Sequence, residues 1–524
     1  MAKGYRPVLR DQPMLLPVDM REWLPADHLV WLVLEVVERL DTTDLDRQRR
    51  AGGVGAAGYD PRMLLGLVVY AYCRGVRSSR RIEALCHTDV AFRVLCAQDV
   101  PDHATIARFR AQSPDIFVGL FTQVLDVAAR AGLARFGTVA IDGTKIAANA
   151  SIDANRGQEW LQQQVAAMVA DAERLDAAED RAGAADGERV PATLGTASQR
   201  SARIRAAAAE VAERARREKV NDEARVASAR ARRERSEAGQ PVRGRIPNGP
   251  HRLAEAQAHL AREIARQQAK LERRAASLAA GKTPSGPVPR PVEEHSSVIR
   301  ARRAVAAALA AEQVESSAAS QVEPTKALPV RVANITDPAS RLMPTRRGFL
   351  QGYNVQLAVS ADQVIVAVDV VQDTNDQQQL VPMMSAAVVA ADRLHLLTGD
   401  DVHRVGVVLA DAGYGSDANL AAPGPPRLIA LAKSRDQARA ARQDPASGPP
   451  PVGCSPREAM AHRLRTDEGH QLYTRRGATV EPAIGNLKKI IDRFARRGLD
   501  PARSEIHLAA TAFNITKIYR ASAA

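Results

Sequence analysis

Aromatic residues are scarce in this chain, 4% of 524 residues, so carboxylate pairs in it are a poor match to a sugar-hydrolysing cleft. Cysteine is scarcer still. Cys73, Cys86, Cys96 and Cys454 form no CxxC pair, and a structural zinc site usually takes its ligands in such close pairs. Free, buried thiols are therefore expected. Long apolar runs are missing too: the opening MAKGYRPVLR is basic with no apolar segment behind it, and no run of about eighteen uncharged apolar residues follows. A reducing cytoplasm is the expected location, with no membrane partner. What is abundant is charge of one sign, a formal +13 with pI near 9.9. Lys and Arg gain affinity for polyanions by releasing condensed counterions, which makes nucleic acid the leading partner.

Apolar residues make up 45% of the chain, enough for two or three domains with cores of their own. From residue 14 to about 134 they recur at helical spacing, as in Leu29, Leu32, Val33, Val36 and Val37, then Met63, Leu64, Leu67, Val68 and Ala71. Residues 1–134 thus read as an all-α domain. Asp60 before Pro61 is an N-cap followed by proline at the first helical position, and Asp102 caps another short helix. Arg74, Arg77, Arg80 and Arg81 cluster after one helix, and Arg108 and Arg110 lie in another. They are candidates for DNA contact, with ordinary solvated surface charge as the alternative.

The segment GTVAIDGTKIAANAS carries a short apolar run, Val139 to Ile141, ending at Asp142 and the turn-forming Gly143. Between about 155 and 329 the composition shifts to Ala, Arg, Glu and Gln, with breaks at SEAGQPVRGRIPNGP and AGKTPSGPVPRP. Pieces such as RLAEAQAHLAREIARQQAKLERRAASLAA favour helix by intrinsic propensity. This block reads as a long helical insertion. Strand signals return in GYNVQLAVS and QVIVAVDVV, with a hairpin turn at Ser360 to Asp362, then a helix bearing Leu380, Met383, Met384 and Val388. VGVVLADAGYGS is a further apolar run, ending at Asp411, and RLIALAKS repeats the theme. Together, 135–154 and 330–524 predict a mixed sheet covered by helices.

Asp142 and Asp411 each end an apolar strand beside glycine, though 269 positions separate them. If they converge, their repulsion raises a pKa or is neutralised by a cation. A hard divalent ion such as Mg²⁺ is the economical solution, because it prefers carboxylate and water oxygens and leaves positions open for phosphate. A third acid stands in YTRRGATVEPAIGNLKKIIDRFARRG, where Pro482 fits a first helical turn and puts Glu481 at the start of a helix running to about Arg497. Lys488, seven residues on, falls on nearly the same face. Lys488, Tyr473 and Arg475 or Arg476 are then available to a nucleic-acid backbone. Taken singly, each has a plainer reading as a turn, cap or surface residue.

These blocks, in this order, resemble the DDE transposases of the IS4/IS5 supergroup, and within them the IS1182-like group. IDGTKIAANAS is similar to the block with the first Asp, ADAGYGS to that with the second, and YTRRGATVEPAIGNLKK to that with the Glu. The last follows the pattern Y-(2)-R-(3)-E-(6)-K in its residue types, Tyr473, Arg476, Glu481 and Lys488, except that four residues separate Arg476 from Glu481. The resemblance implies an RNase H-like core in which Asp142, Asp411 and Glu481 bind two Mg²⁺ or Mn²⁺ ions. It also implies cleavage and strand transfer at the element's inverted repeats in double-stranded DNA, with a homodimer on DNA and no covalent enzyme intermediate. Tyr473 has no Arg/His/Arg constellation around it that would make it a recombinase nucleophile. The alternative is a transposase-derived DNA-binding protein that no longer cuts.

Overall fold

The structure, a computed structural model, describes residues 19–43, 58–112, 114–182, 194–238, 252–281, 288–320, 332–346, 348–432 and 434–522. The basic opening segment lies outside the described residues, and so do most of the two Gly/Pro-rich breaks. The chain divides into two compact units, Met1–Arg156 with Ala333–Ala524, and Gly157–Val332.

The first unit begins with α1 (Leu29–Arg39), α2 (Pro61–Cys73), α3 (Ser79–Thr88), α4 (Val90–Leu95), α5 (His103–Gln112) and α6 (Pro114–Arg130). Asp60 caps α2 by accepting from the Arg62 N–H, with Pro61 just inside, and Asp102 accepts from the Thr105 N–H at the start of α5. These helices do not close a core of their own. Val33, Leu67 and Phe117 belong to the same buried cluster as Val355 and Leu409 of the sheet. The link is the C-terminal helix (Leu499–Ser522), which packs on α2 and α6 as well as on a strand. The cysteines are free, Cys86 and Cys96 buried and the other two partly so.

The sheet contains β1 (Thr138–Ala147), β2 (Arg341–Thr345), β3 (Gly348–Ser360), β4 (Ile365–Val371), β5 (Val407–Ala410) and β6 (Arg427–Ile429). Its order is β2-β3-β1-β5-β6, with β4 also paired to β3. At thirteen residues β3 is long enough to hold β2 along Gly348–Gly352 and β4 along Asn354–Val359 on one edge, and β1 on the other. These pairings are antiparallel, whereas β1-β5 and β5-β6 are parallel. The β3–β4 hairpin turns at the expected place, with Gln363 at φ 64°.

The second unit is helical: α7 (Gln158–Ala182), α8 (Leu194–Glu237), α9 (Arg252–Ala279) and α10 (Ser296–Ser320), each packed on the next. Small side chains such as Ala207, Ala256, Ala301 and Ala308 are prominent in its interior. A buried ion pair, Arg232 to Glu255 at 2.8 Å, ties α8 to α9.

Back in the first unit, α11 (Leu380–Thr398) follows β4. It is long and apolar enough to cross a membrane by length and composition, but Leu380, Met383, Met384, Ala387, Ala391 and Leu394 are buried in the core. The short α12 (Asp417–Ala421) lies between β5 and β6, and α13 (Ser434–Gln443), α14 (Pro456–Arg463), α15 (Asp467–Ile490) and α16 (Leu499–Ser522) complete the chain. A buried amide of α16 covers the first residue of β4: the Ile365 N–H donates to Asn514 Oδ1 (3.0 Å) and Asn514 Nδ2 donates to the Ile365 carbonyl (2.8 Å).

Candidate active site

Asp142 lies inside β1 rather than at its end. The strand runs on through Gly143 to Ala147 because β3 continues opposite it, with Asp142 facing Leu357. What does end there is the parallel ladder: Ile141 is level with Ala410, the last residue of β5. The next residue, Asp411, therefore leaves the sheet beside Asp142. Its carboxylate accepts from the Gly413 N–H at 2.9 Å and caps a short 3-10 turn, Ala412–Tyr414. Two parallel strands thus bring together residues that 269 positions of chain keep apart.

The Asp142 carboxylate accepts from the Gly143 N–H (2.8 Å) and from Arg476 Nη1 (2.9 Å). The Asp142 and Arg476 side chains are 18% and 12% exposed, so the pair is largely desolvated. Burial pushes the Asp142 carboxyl up from its ordinary value; the Arg476 guanidinium draws it back, and the charge on Asp411 raises it again. The net direction is upward. Tyr473 is 7% exposed beside Arg476, and burial raises its phenol. It backs the guanidinium rather than standing out where a backbone phosphate would meet it.

Arg476 reaches Asp142 because of how α15 is held. Pro482 sits inside this 24-residue helix, which begins at Asp467 and stops at Ile490, so Glu481 is mid-helix and the expected start and end are both corrected. An interior proline leaves the carbonyl four residues earlier without its N–H donor. Here that carbonyl, on Ala478, accepts from Gln363 Nε2 of the β3–β4 turn at 3.0 Å. Past Ile490 the chain straightens to run beside β1, where the Phe494 N–H donates to the Ala147 carbonyl (2.8 Å). Phe494 packs edge-on against Tyr353, whose hydroxyl donates to the buried Asp337, and the Gly498 N–H donates to Asp337 as well.

Glu481 is not brought to the aspartate pair. It is exposed, its carboxylate folds back against Gly477, and five residues from Arg476 place it roughly 140° round the helix. Among the described residues no three His, Cys, Asp or Glu side chains are gathered closely enough to hold a metal. Arg475, Lys488 and Arg108 are exposed, and the burial that Lys488 does have pulls its ammonium downward. Arg110 is used internally, donating to the Arg77 carbonyl (2.6 Å) and Ser79 Oγ (2.7 Å).

Sequence reasoning missed a third aspartate in this neighbourhood. Asp376, between β4 and α11, accepts at Oδ1 from Asn354 Nδ2 and Gln356 Nε2, both at 2.7 Å, with Lys145 Nζ at 3.5 Å. Gln356 also accepts from the Tyr414 hydroxyl (2.5 Å), three residues past Asp411. Burial raises the Tyr414 phenol, and the charges of Asp376, Asp142 and Asp411 raise it further. The sequence does contain a signal: Asn354 and Gln356 alternate with Val355 and Leu357 in a strand that is buried on both faces. Buried amides on one face of such a strand need partners.

Residues 18–112 match the transposase domain family DUF772, and residues 453–519 match the transposase DDE domain family. Both matches are to transposase families, one near each end of the chain. The DDE match includes Tyr473, Arg475, Arg476, Glu481 and Lys488, while Asp142 and Asp411 lie outside it. No curated protein and no solved structure matches the chain.

Proposed function

We propose that this chain is the transposase of an insertion sequence of the IS1182-like group in the IS4/IS5 supergroup, cutting DNA at the element's inverted repeats and joining the ends to a target. The observation that carries the reading is the juxtaposition of Asp142 and Asp411 where the β1-β5 ladder stops, with Arg476 of the transposase-matching segment on Asp142. An RNase H-like core is supported by the strand pattern, three antiparallel strands β4-β3-β1 extended by two parallel ones, β5 and β6.

The donor chemistry fits a hard divalent ion. Two carboxylates of like charge converge, one of them raised by burial and by its neighbour, and a cation relieves both effects. Asp142 and Asp411 would hold Mg²⁺ or Mn²⁺. When bound, a pair of such ions would supply activation of water or a DNA 3′-hydroxyl and stabilisation of the leaving oxygen. The chain's own residues do the rest. Arg476 offsets the charge of Asp142 and keeps its carboxylate oriented, and Tyr473 backs Arg476. Exposed Arg475, Lys488 and Arg108 offer contacts to the DNA backbone, which fix register without reading sequence. Glu481, the third acid of the resemblance, reaches the pair only by leaving Gly477, so its part is a question for mutation. Two element ends must meet, so a homodimer on DNA in the cytoplasm, at the nucleoid, completes the proposal.

The test is strand cleavage of a fragment carrying the inverted repeats that flank the gene, with Mg²⁺, with EDTA, and with Asp142→Ala, Asp411→Ala and Glu481→Gln. Metal-dependent nicking at the repeat ends, lost in the aspartate variants with end binding intact, is the expected result. Specific binding without cutting under every metal condition would replace the proposal with a DNA-binding protein descended from a transposase.

A further inference from the structure

We propose that Asp376 is a metal-binding carboxylate of this site, sharing a divalent cation with Asp411; the inference rests on the metal-dependent reading above. Asp376 has two unlike oxygens. Oδ1 is locked by Asn354, Gln356 and Lys145. Oδ2 has no hydrogen bond among the described residues and turns toward Gly413, where a side chain's first carbon would lie 3.9 Å from it and 3.0 Å from Asp411 Oδ1. The two oxygens border one small space that glycine keeps open. Gly143 opens the other side: a carbon there would come within 2.4 Å of Asp376 Oδ1. Glycine beside Asp142 is what lets the Asp376 carboxylate settle against the sheet.

Charge and hydrogen bonding both point to a cation here. Asp142, Asp376 and Asp411 face two cations, Arg476 and Lys145, so the cluster carries an excess negative charge that a divalent ion would offset. Asn354 is fully buried, and its Oδ1 has no hydrogen-bond partner although the other arm of the same amide donates to Asp376. A buried acceptor left in that state is unusual in a folded protein. Mg²⁺ commonly keeps several of its waters, so a hydrated cation held by Asp376 Oδ2 and Asp411 would place hydrogen-bond donors beside the carboxylate that this amide holds.

The experiment is Mn²⁺ binding to the full chain without DNA, read from the electron paramagnetic resonance signal of free Mn²⁺, for the unmodified protein, Asp376→Asn, Asp411→Asn and Glu481→Gln. Asp376→Asn keeps an oxygen to accept from Asn354 and Gln356 while removing the charge. It is expected to weaken Mn²⁺ binding about ten-fold or more, as Asp411→Asn does. Unchanged binding in Asp376→Asn with loss in Asp411→Asn would overturn the proposal and leave the two-aspartate reading standing. No Mn²⁺ binding by the unmodified chain would overturn both. Carbodiimide labelling of the unmodified chain covers the case in which Asp376→Asn fails to fold: Mn²⁺ should protect Asp376, and equal labelling with and without the ion would count against it.

Discussion

Replacing Arg476 by alanine in metal-free buffer should cost more stability at pH 7.5 than at pH 4.5. The guanidinium faces Asp142 at 2.9 Å with both side chains largely out of water. Removing one partner of a fully buried pair costs ~3–5 kcal/mol, and the residual exposure here puts the expectation at about 2–3 kcal/mol near neutrality. The pH dependence follows from the direction of the Asp142 shift, which is upward even with Arg476 present. A carboxyl whose folded value exceeds its unfolded one contributes stability that is complete below the unfolded value and is lost as pH rises through the folded value. Without Arg476 that folded value climbs further, so the variant loses more stability as pH rises above the ordinary carboxylate range, whereas at lower pH, where more of Asp142 is protonated, the loss is smaller. Urea unfolding of the parent, Arg476→Ala, Asp142→Asn and the double variant in EDTA at both pH values measures this. An equal loss at the two pH values, or a coupling energy near zero in the double-mutant cycle, would refute the account.

Gly143→Ala should destabilise by about 1–3 kcal/mol, because the added carbon meets Asp376 Oδ1 and Gln356 Nε2, both tied into one network; an unchanged urea midpoint would contradict the packing described. Tyr353→Phe should cost about 1–3 kcal/mol by stripping a donor from Asp337, which is fully buried. Thermal melts read it, and a neutral outcome would mean that the backbone N–H groups of Gly498, Ala339 and Ser340 satisfy that carboxylate without the phenol. Lys488→Ala should lower the slope of log binding constant against log salt on the inverted repeats by about 1, while an unchanged slope would remove Lys488 from the phosphate contacts.

Local chemistry made much of this legible in advance. The apolar runs ending at Asp142 and Asp411 are strands, and the turn at Ser360 to Asp362 and the caps at Asp60 and Asp102 are where short-range rules place them. Pro482 went the other way, because there the same rules predict a helix start. A side chain from another element, Gln363, satisfies the carbonyl that the proline orphans, and the helix runs through.

The chain by itself therefore determined the strands that carry the runs ending at Asp142 and Asp411, the β3–β4 hairpin and the caps at Asp60 and Asp102, because burial periodicity and capping act over a few residues. Tertiary structure alone decided that the N-terminal helices share the sheet's core, that Arg476 rather than Glu481 stands at Asp142, and that Asp376 lies beside Asp411. Each of those depends on strand register and on where α15 is anchored, which are set by contacts between residues more than a hundred positions apart.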